Sequence, residues 1–128
     1  MANYLLDTHA VIWFFEENPE LSGFGYEAIR HYQNNIYLNV VSLWEIAIKT
    51  NVKKIDLGVG IEKFISFCKD NYIQILPISS RYLSKYIELP LLHRDPFDRM
   101  IIANSLVDGI KIFTKDEKIM QYNVQTIW

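Results

Sequence analysis

Cysteine is nearly absent: Cys68 is the only one among 128 residues, which excludes an internal disulfide and any cysteine-built metal cluster. The N-terminus, Met1-Ala2-Asn3-Tyr4, lacks a basic region, and the apolar stretch from Ala10 to Phe15 is far too short to span a bilayer. The expectation is a soluble, cytoplasmic protein that engages no membrane. No Pro/Gly/Ser-rich stretch or long charge run marks a linker or tail, and no internal repeat of about 20 to 50 residues is present. Net positive charge is lacking too: 13 Lys and Arg stand against 15 Asp and Glu, for a net charge of −2. Proteins that grip nucleic acid by bulk electrostatics are usually strongly basic, so a passive RNA- or DNA-binding module is disfavoured. A metal-dependent nuclease is less affected, because a bound cation would itself bring positive charge to the phosphate.

What is present is apolar and ordered. A hydrophobic content of 50% in 128 residues fits one compact domain over residues 1–128 with a single sizeable core. Asn3-Tyr4-Leu5-Leu6 reads as a short strand ending at Asp7, and Ala10 to Glu17 as a helix stopped by Asn18-Pro19. Ser22 can cap a second helix to about Asn34, and Ile36 to Val41 is β-branched, aromatic and short enough for a buried strand. From Ser42 a helix runs to about Asn51, with Ser42-x-x-Glu45 matching a capping box. Ile61 to Tyr72 is helical in spacing, Ile73 to Ile78 reads as a strand, and Ser79 or Ser80 opens a helix that Pro90 stops. Asp95-Pro96-Phe97-Asp98 combines a cap, a proline at the first position and an acid in the first turn of a helix ending at Gly109. Ile110 to Thr114 is a strand, Glu117 to Tyr122 a short helix, and Val124 to Trp128 a last strand. Alternation of this kind defines the α/β class, a parallel sheet covered on both faces.

The acids carry the functional argument, although each has an ordinary reading. Glu45 could complete the capping box or pair with Lys49, Asp95 could cap its helix, Asp98 could face the helix dipole, and Asp116 could cap the helix that follows it. Asp7 could be a turn residue, but aspartate is depleted in strands and ligands in parallel sheets bind beyond the strands' carboxyl ends, where Asp7 and Asp116 both fall. Gathered at one sheet edge, such carboxylates would repel one another by roughly 4 kcal/mol for each pair about 4 Å apart at an effective dielectric of 20, so a cluster needs cations. Hard oxygen donors suit Mg²⁺ or Mn²⁺, the metals of nuclease and phosphatase chemistry.

Four segments carry a family resemblance: Tyr4-Leu5-Leu6-Asp7-Thr8-His9-Ala10-Val11-Ile12-Trp13, Val41-Ser42-Leu43-Trp44-Glu45-Ile46-Ala47-Ile48-Lys49, the run from Leu89 to Ala103 with its core His93-Arg94-Asp95-Pro96-Phe97-Asp98-Arg99-Met100, and Phe113-Thr114-Lys115-Asp116. In this order, through the closing Tyr122-x-Val124-x-x-Ile127-Trp128, the chain resembles PIN-domain proteins, specifically VapC-like toxins of bacterial type II toxin–antitoxin pairs. The resemblance implies a PIN-like three-layer fold with a central, mostly parallel sheet of about four to five strands and helices on both faces. It implies a Mg²⁺- or Mn²⁺-dependent endoribonuclease that hydrolyses RNA by metal-activated water, with Asp7, Glu45, Asp98 and Asp116 as the acidic quartet and Asp7 and Asp98 its firmest metal ligands. Thr8 and Thr114 would be hydroxyls beside the site, and Asp95 a helix cap or a support to the ligands. Arg94, Arg99, Lys49 and Lys115 are candidate phosphate contacts, while His9 and His93 read as structural or peripheral. Homodimerisation is implied, as is a small antitoxin blocking the acidic cleft with a basic side chain. The chain departs from the pattern where Asn104-Ser105 replace an expected Gln-Ala and where a glycine is missing near Lys53-Lys54; neither touches the quartet.

Other classes fit less well. A signalling receiver domain wants adjacent acids after its first strand and a lone Asp closing its central one, and Leu6-Asp7-Thr8 and Val40-Val41-Ser42 supply neither pattern. A haloacid-dehalogenase-like phosphatase would need a second Asp two residues after Asp7, where His9 stands. The stronger alternative is a PIN module that binds RNA or a protein without cleaving, against which four intact acids argue.

Overall fold

Successive residues of a strand point to opposite faces of a sheet, and in β1 (Asn3–Leu6) Tyr4 and Leu6 pack into one hydrophobic cluster while Leu5 packs into another. The computed structural model describes residues 1–128. β1 is followed by α1 (Thr8–Glu16), α2 (Gly23–Arg30), β2 (Asn35–Asn39), α3 (Val40–Asn51), α4 (Ile61–Asp70) and β3 (Ile73–Leu76). Then come α5 (Ser80–Glu88), α6 (Pro96–Asp108), β4 (Lys111–Phe113), α7 (Glu117–Met120) and β5 (Thr126–Ile127). The five strands form one parallel sheet in the order β3-β2-β1-β4-β5.

The two clusters are the two faces of this sheet. Side chains of α1, α2 and α4, including Val11, Phe14, Ile29, Phe64 and Cys68, fill one, and Tyr82, Ile101, Ile102 and Ile119 of α5, α6 and α7 fill the other. The result is the three-layer α/β arrangement expected. In the Trp13-Phe14-Phe15 run, Phe14 is buried and its two neighbours lie partly buried on the same cluster. Gly25 lets α2 lie directly on the end of β4, because a Cβ there would stand 2.7 Å from the Phe113 ring.

Connections run outward from β1 in both directions, toward β2 and β3 on one side and β4 and β5 on the other. Where the winding reverses, between β1 and β4, the crevice beyond the strand ends is open to ligands. Leu6 pairs with Phe113 in register, so Asp7 and Thr114 leave the sheet side by side at that crevice.

Two local expectations are corrected. α3 begins at Val40, capped by Asn39, whose Oδ1 accepts from the Val41 N–H at 2.9 Å. Ser42 and Glu45 therefore lie inside the helix and form no capping box. α2 stops at Arg30, not near Asn34, because Asn34 turns its side chain to the Ala28 carbonyl at 2.9 Å and the Ala2 N–H at 3.0 Å.

Candidate active site

Asp7 is the last residue before α1 and serves as its cap: Oδ1 accepts from the Ala10 N–H at 2.7 Å. Its other oxygen, Oδ2, accepts from the hydroxyl of Thr114. The Asp7 N–H in turn donates to the Phe113 carbonyl at 3.2 Å, extending the β1–β4 ladder to the lip of the crevice. Thr114 Oγ1 also accepts from the Asp116 N–H at 3.0 Å, which turns the chain into α7, and Asp116 Oδ1 caps that helix through the Lys118 N–H at 2.9 Å.

Glu45 reaches the same place from α3. It is buried, and Oε1 accepts from the Thr8 hydroxyl at 2.6 Å while Oε2 pairs with Lys49 Nζ at 2.5 Å. Ser42 Oγ lies 3.0 Å from the same Thr8 hydroxyl. From α6, Asp95 caps the helix through the N–H groups of Phe97 and Asp98 at 2.9 and 3.1 Å. Asp98 follows in the first turn, with His93 Nε2 3.6 Å from its Oδ2.

α3 and α6 are tied together by side chains that the resemblance did not lead us to expect. Asn39, the cap of α3, donates from Nδ2 to Asn104 Oδ1 at 2.9 Å, and Asn104 donates to Asp108 at 2.8 Å. Asn104, standing where glutamine was expected, thus links the helix bearing Glu45 to the helix bearing Asp98.

Asp7, Glu45, Asp95, Asp98 and Asp116 converge on a cleft of about 190 Å³ with no hydrophobic residue on its walls. Thr8, His9, Lys49 and Lys118 complete it. Burial raises the Asp7 carboxyl from 3.8 to about 6, against the hydrogen bonds from Thr114 and Ala10 that favour its charged form. Asp98 rises to about 7, first through burial and then through the negative charges of Asp95, Asp116, Glu45 and Asp7. Burial works against the charge on Lys49, but Glu45, Asp95 and Asp98 outweigh it and hold the ammonium above its usual pKa.

The donor set is one of hard oxygens carrying excess negative charge, which fits Mg²⁺ or Mn²⁺. As they stand, no three acidic, histidine or cysteine side chains are grouped to grip one ion. Lys49 holds one Glu45 oxygen, and Ala10 and Thr114 each hold one oxygen of Asp7.

The expected phosphate contacts divide. Lys49 is on the cleft wall. Arg94 is exposed in the loop before Asp95 and lines no part of the cleft, and Lys115 points away to Glu20 at 2.6 Å. Arg99 is a correction: it is buried, its Nη1 donates to the Pro90 carbonyl at 2.9 Å and the Tyr122 hydroxyl at 2.8 Å, and its guanidinium lies 5.0 Å from the Tyr86 ring. His9, read as structural or peripheral, stands on the cleft wall; His93 lies behind Asp98, against Tyr122. Lys118 was not anticipated, although its place two residues beyond Asp116 in the same turn was the available signal.

The acids thus converge at the switch point of a parallel sheet, the place where folds of this class bind their ligands. The PIN domain family model matches residues 4–125, and the chain belongs to that family. It is 24% identical over 132 residues to Ribonuclease VapC22 of Mycobacterium tuberculosis, with the whole of both chains covered. Among solved structures it is similar to VapBC2 from Rickettsia felis bound to a DNA fragment from their promoter, with a TM-score of 0.75 and 17% identity over 98% of this chain and 97% of that one. VapBC-1 from nontypeable Haemophilus influenzae gives a TM-score of 0.70 and 15% identity over 98% of this chain and 96% of that one.

Proposed function

We propose that the protein is a divalent-metal-dependent endoribonuclease and the toxin of a type II toxin–antitoxin pair. The observation that carries this reading is the meeting of Asp7, Glu45, Asp98 and Asp116, from four separate parts of the chain, in one polar cleft at the carboxyl ends of the strands. Membership of the PIN domain family and the likeness to a protein named a ribonuclease support it.

Asp7 and Asp98 would hold Mg²⁺ or Mn²⁺, with Glu45 and Asp116 completing the set. A bound ion of this kind supplies activation of water and neutralisation of the charge that builds on phosphate and leaving oxygen. Thr8 and Thr114 fix the orientation of Glu45 and Asp7 through their hydroxyls. Lys118, exposed at the cleft, is a partner for the phosphate of the substrate, and Lys49 on the wall is a second one if it leaves Glu45. In-line attack by water leaves 5′-phosphate and 3′-hydroxyl ends.

A partner is part of this reading. The solved structures similar to the chain include VapBC proteins, which supports an antitoxin partner; the negative charge of the cleft would favour a basic side chain of that partner there. α5 and the loop after it expose Leu83, Ile87, Leu91 and Leu92, apolar surface that a second copy of the chain or the antitoxin would cover. Neither the RNA it cuts nor the position of the cut is encoded in a recognition motif, so the test uses total cellular RNA. Purified, antitoxin-free protein should cut it with Mg²⁺ or Mn²⁺ and not with EDTA, leaving 5′-phosphates. Products ending in a 2′,3′-cyclic phosphate would overturn the mechanism, and no cutting by folded protein would favour a non-cleaving RNA-binding module.

A further inference from the structure

Beside the acidic cleft lies a second cavity of about 440 Å³, within the range of small-ligand sites. Asp7, His9, Asp116 and Lys118 line both, so the two are contiguous. The wall away from the acids is aromatic. Trp13 of α1 and Trp128 beyond β5 meet edge to face, with ring centroids 5.8 Å apart and planes at 80°, and the His9 ring lies 5.3 Å from Trp13. Both indoles rest on the core yet keep part of their surface open. Lys115 Nζ stands over both, 5.1 and 5.5 Å from the ring centroids, and is held by an ion pair to Glu20. That pair is exposed and therefore weak, so the ammonium is free to leave the rings.

Glu117 joins Asp7 and Asp116 on the cavity's acidic side, so the two lysines concentrate positive charge only at the aromatic corner, where a ligand that is flat and carries an anionic group beside its plane fits best. At the rings themselves a basic protein side chain would meet the Lys115 ammonium, and an aliphatic segment would bury surface there without the face-to-face stacking a flat base makes. Single-stranded RNA carries flat bases and phosphates in alternation, and unpaired bases stack on aromatic side chains. We propose that Trp13 and Trp128 form a subsite that stacks one unpaired base of the substrate next to the phosphodiester in the acidic cleft, with Lys115 and Lys118 on the flanking phosphates. The proposal rests on the ribonuclease reading and adds to it the two rings that hold the base.

The test separates the two. Trp44 lies in neither cavity, so in a Trp44→Phe, Asp98→Asn protein the tryptophan fluorescence, excited where tyrosine does not absorb, comes from Trp13 and Trp128. A short single-stranded RNA should quench it. Making one nucleotide of that RNA abasic should weaken binding roughly 5- to 150-fold, the equivalent of ~1–3 kcal/mol of base–aromatic stacking. Trp13→Leu, checked for native unfolding behaviour, should lose a similar factor and be indifferent to the abasic change; the abasic comparison itself needs no altered ring. RNA that binds without quenching, or abasic RNA that binds as tightly at every position, overturns the subsite, and cutting by the wild type would leave the ribonuclease reading standing. Quenching with the abasic loss, but no cutting by the wild type in Mn²⁺, would overturn the ribonuclease and keep the subsite.

Discussion

The Thr114 hydroxyl donates to Asp7 Oδ2, joining two residues 107 positions apart at the seam between β1 and β4. Both side chains are buried, so little water competes for the bond. Thr114→Val keeps the shape and removes the donor; it should cost about 1–3 kcal/mol of stability and weaken metal binding by loosening Asp7. Denaturant unfolding and a Mn²⁺ titration check the two effects, and unchanged stability would mean that Asp7 is held by other groups.

Lys49 is the internal counter-cation of the cleft, 2.5 Å from Glu45. Lys49→Met should lower the stability of the metal-free protein by ~1–3 kcal/mol, between the values for exposed and buried pairs, because Glu45 is left uncompensated. The same change should shift the Mn²⁺ titration to lower concentration, since one competitor for the carboxylates is gone. A weaker Mn²⁺ response would show that the lysine helps the ion to bind.

Stability should depend on pH in an unusual direction. Asp7 and Asp98 hold protons in the native state up to about 6 and about 7, whereas the unfolded chain releases them near 3.8. The native state binds more protons between those values, so these two groups make the metal-free protein less stable as pH rises from about 4 through about 7. The Tm in EDTA should fall between about pH 4 and about pH 7, and Mn²⁺ should restore it at the upper end and have little effect at the lower, where protons occupy the carboxylates proposed to bind it. A metal-free Tm that climbs over this interval would contradict the electrostatics of the site.

Arg99 should behave as a structural residue. Arg99→Met strips hydrogen bonds from the Pro90 carbonyl and the Tyr122 hydroxyl, at a cost of ~2–3 kcal/mol. The salt dependence of RNA binding should not change, which distinguishes a buried strut from a phosphate contact.

Strands and acids were legible because their signals are local. Asp95-Pro96 announces the start of α6, and Gly109, at φ 66°, ends it in the left-handed conformation that glycine tolerates. Arg99 misled because nearness in sequence says nothing of azimuth: in a helix of 3.6 residues per turn, neighbours project about 100° apart, so Asp98 faces the cleft while Arg99 enters the core. Ser42-x-x-Glu45 imitated a capping box, but Asn39 lies three residues earlier and captures the helix start. Lys53 has φ 63°, the conformation for which the glycine missing near that position would have been suited. The convergence of the acids was not legible at all from spacing. It depends on strand order, which places β4 beside β1 although most of the chain separates them.

Asp98 carries the strongest conflict between stability and the proposed activity, since its charge is opposed by burial and by four other acids. The decisive measurement is RNA cleavage in Mn²⁺ by the wild type and by Asp98→Asn, with the metal-free Tm of each recorded alongside. The account predicts a loss of cleavage of at least about 100-fold in a variant whose metal-free Tm is equal to or above that of the wild type. Cleavage at the wild-type rate by Asp98→Asn, or cutting by the wild type that survives EDTA, would contradict it.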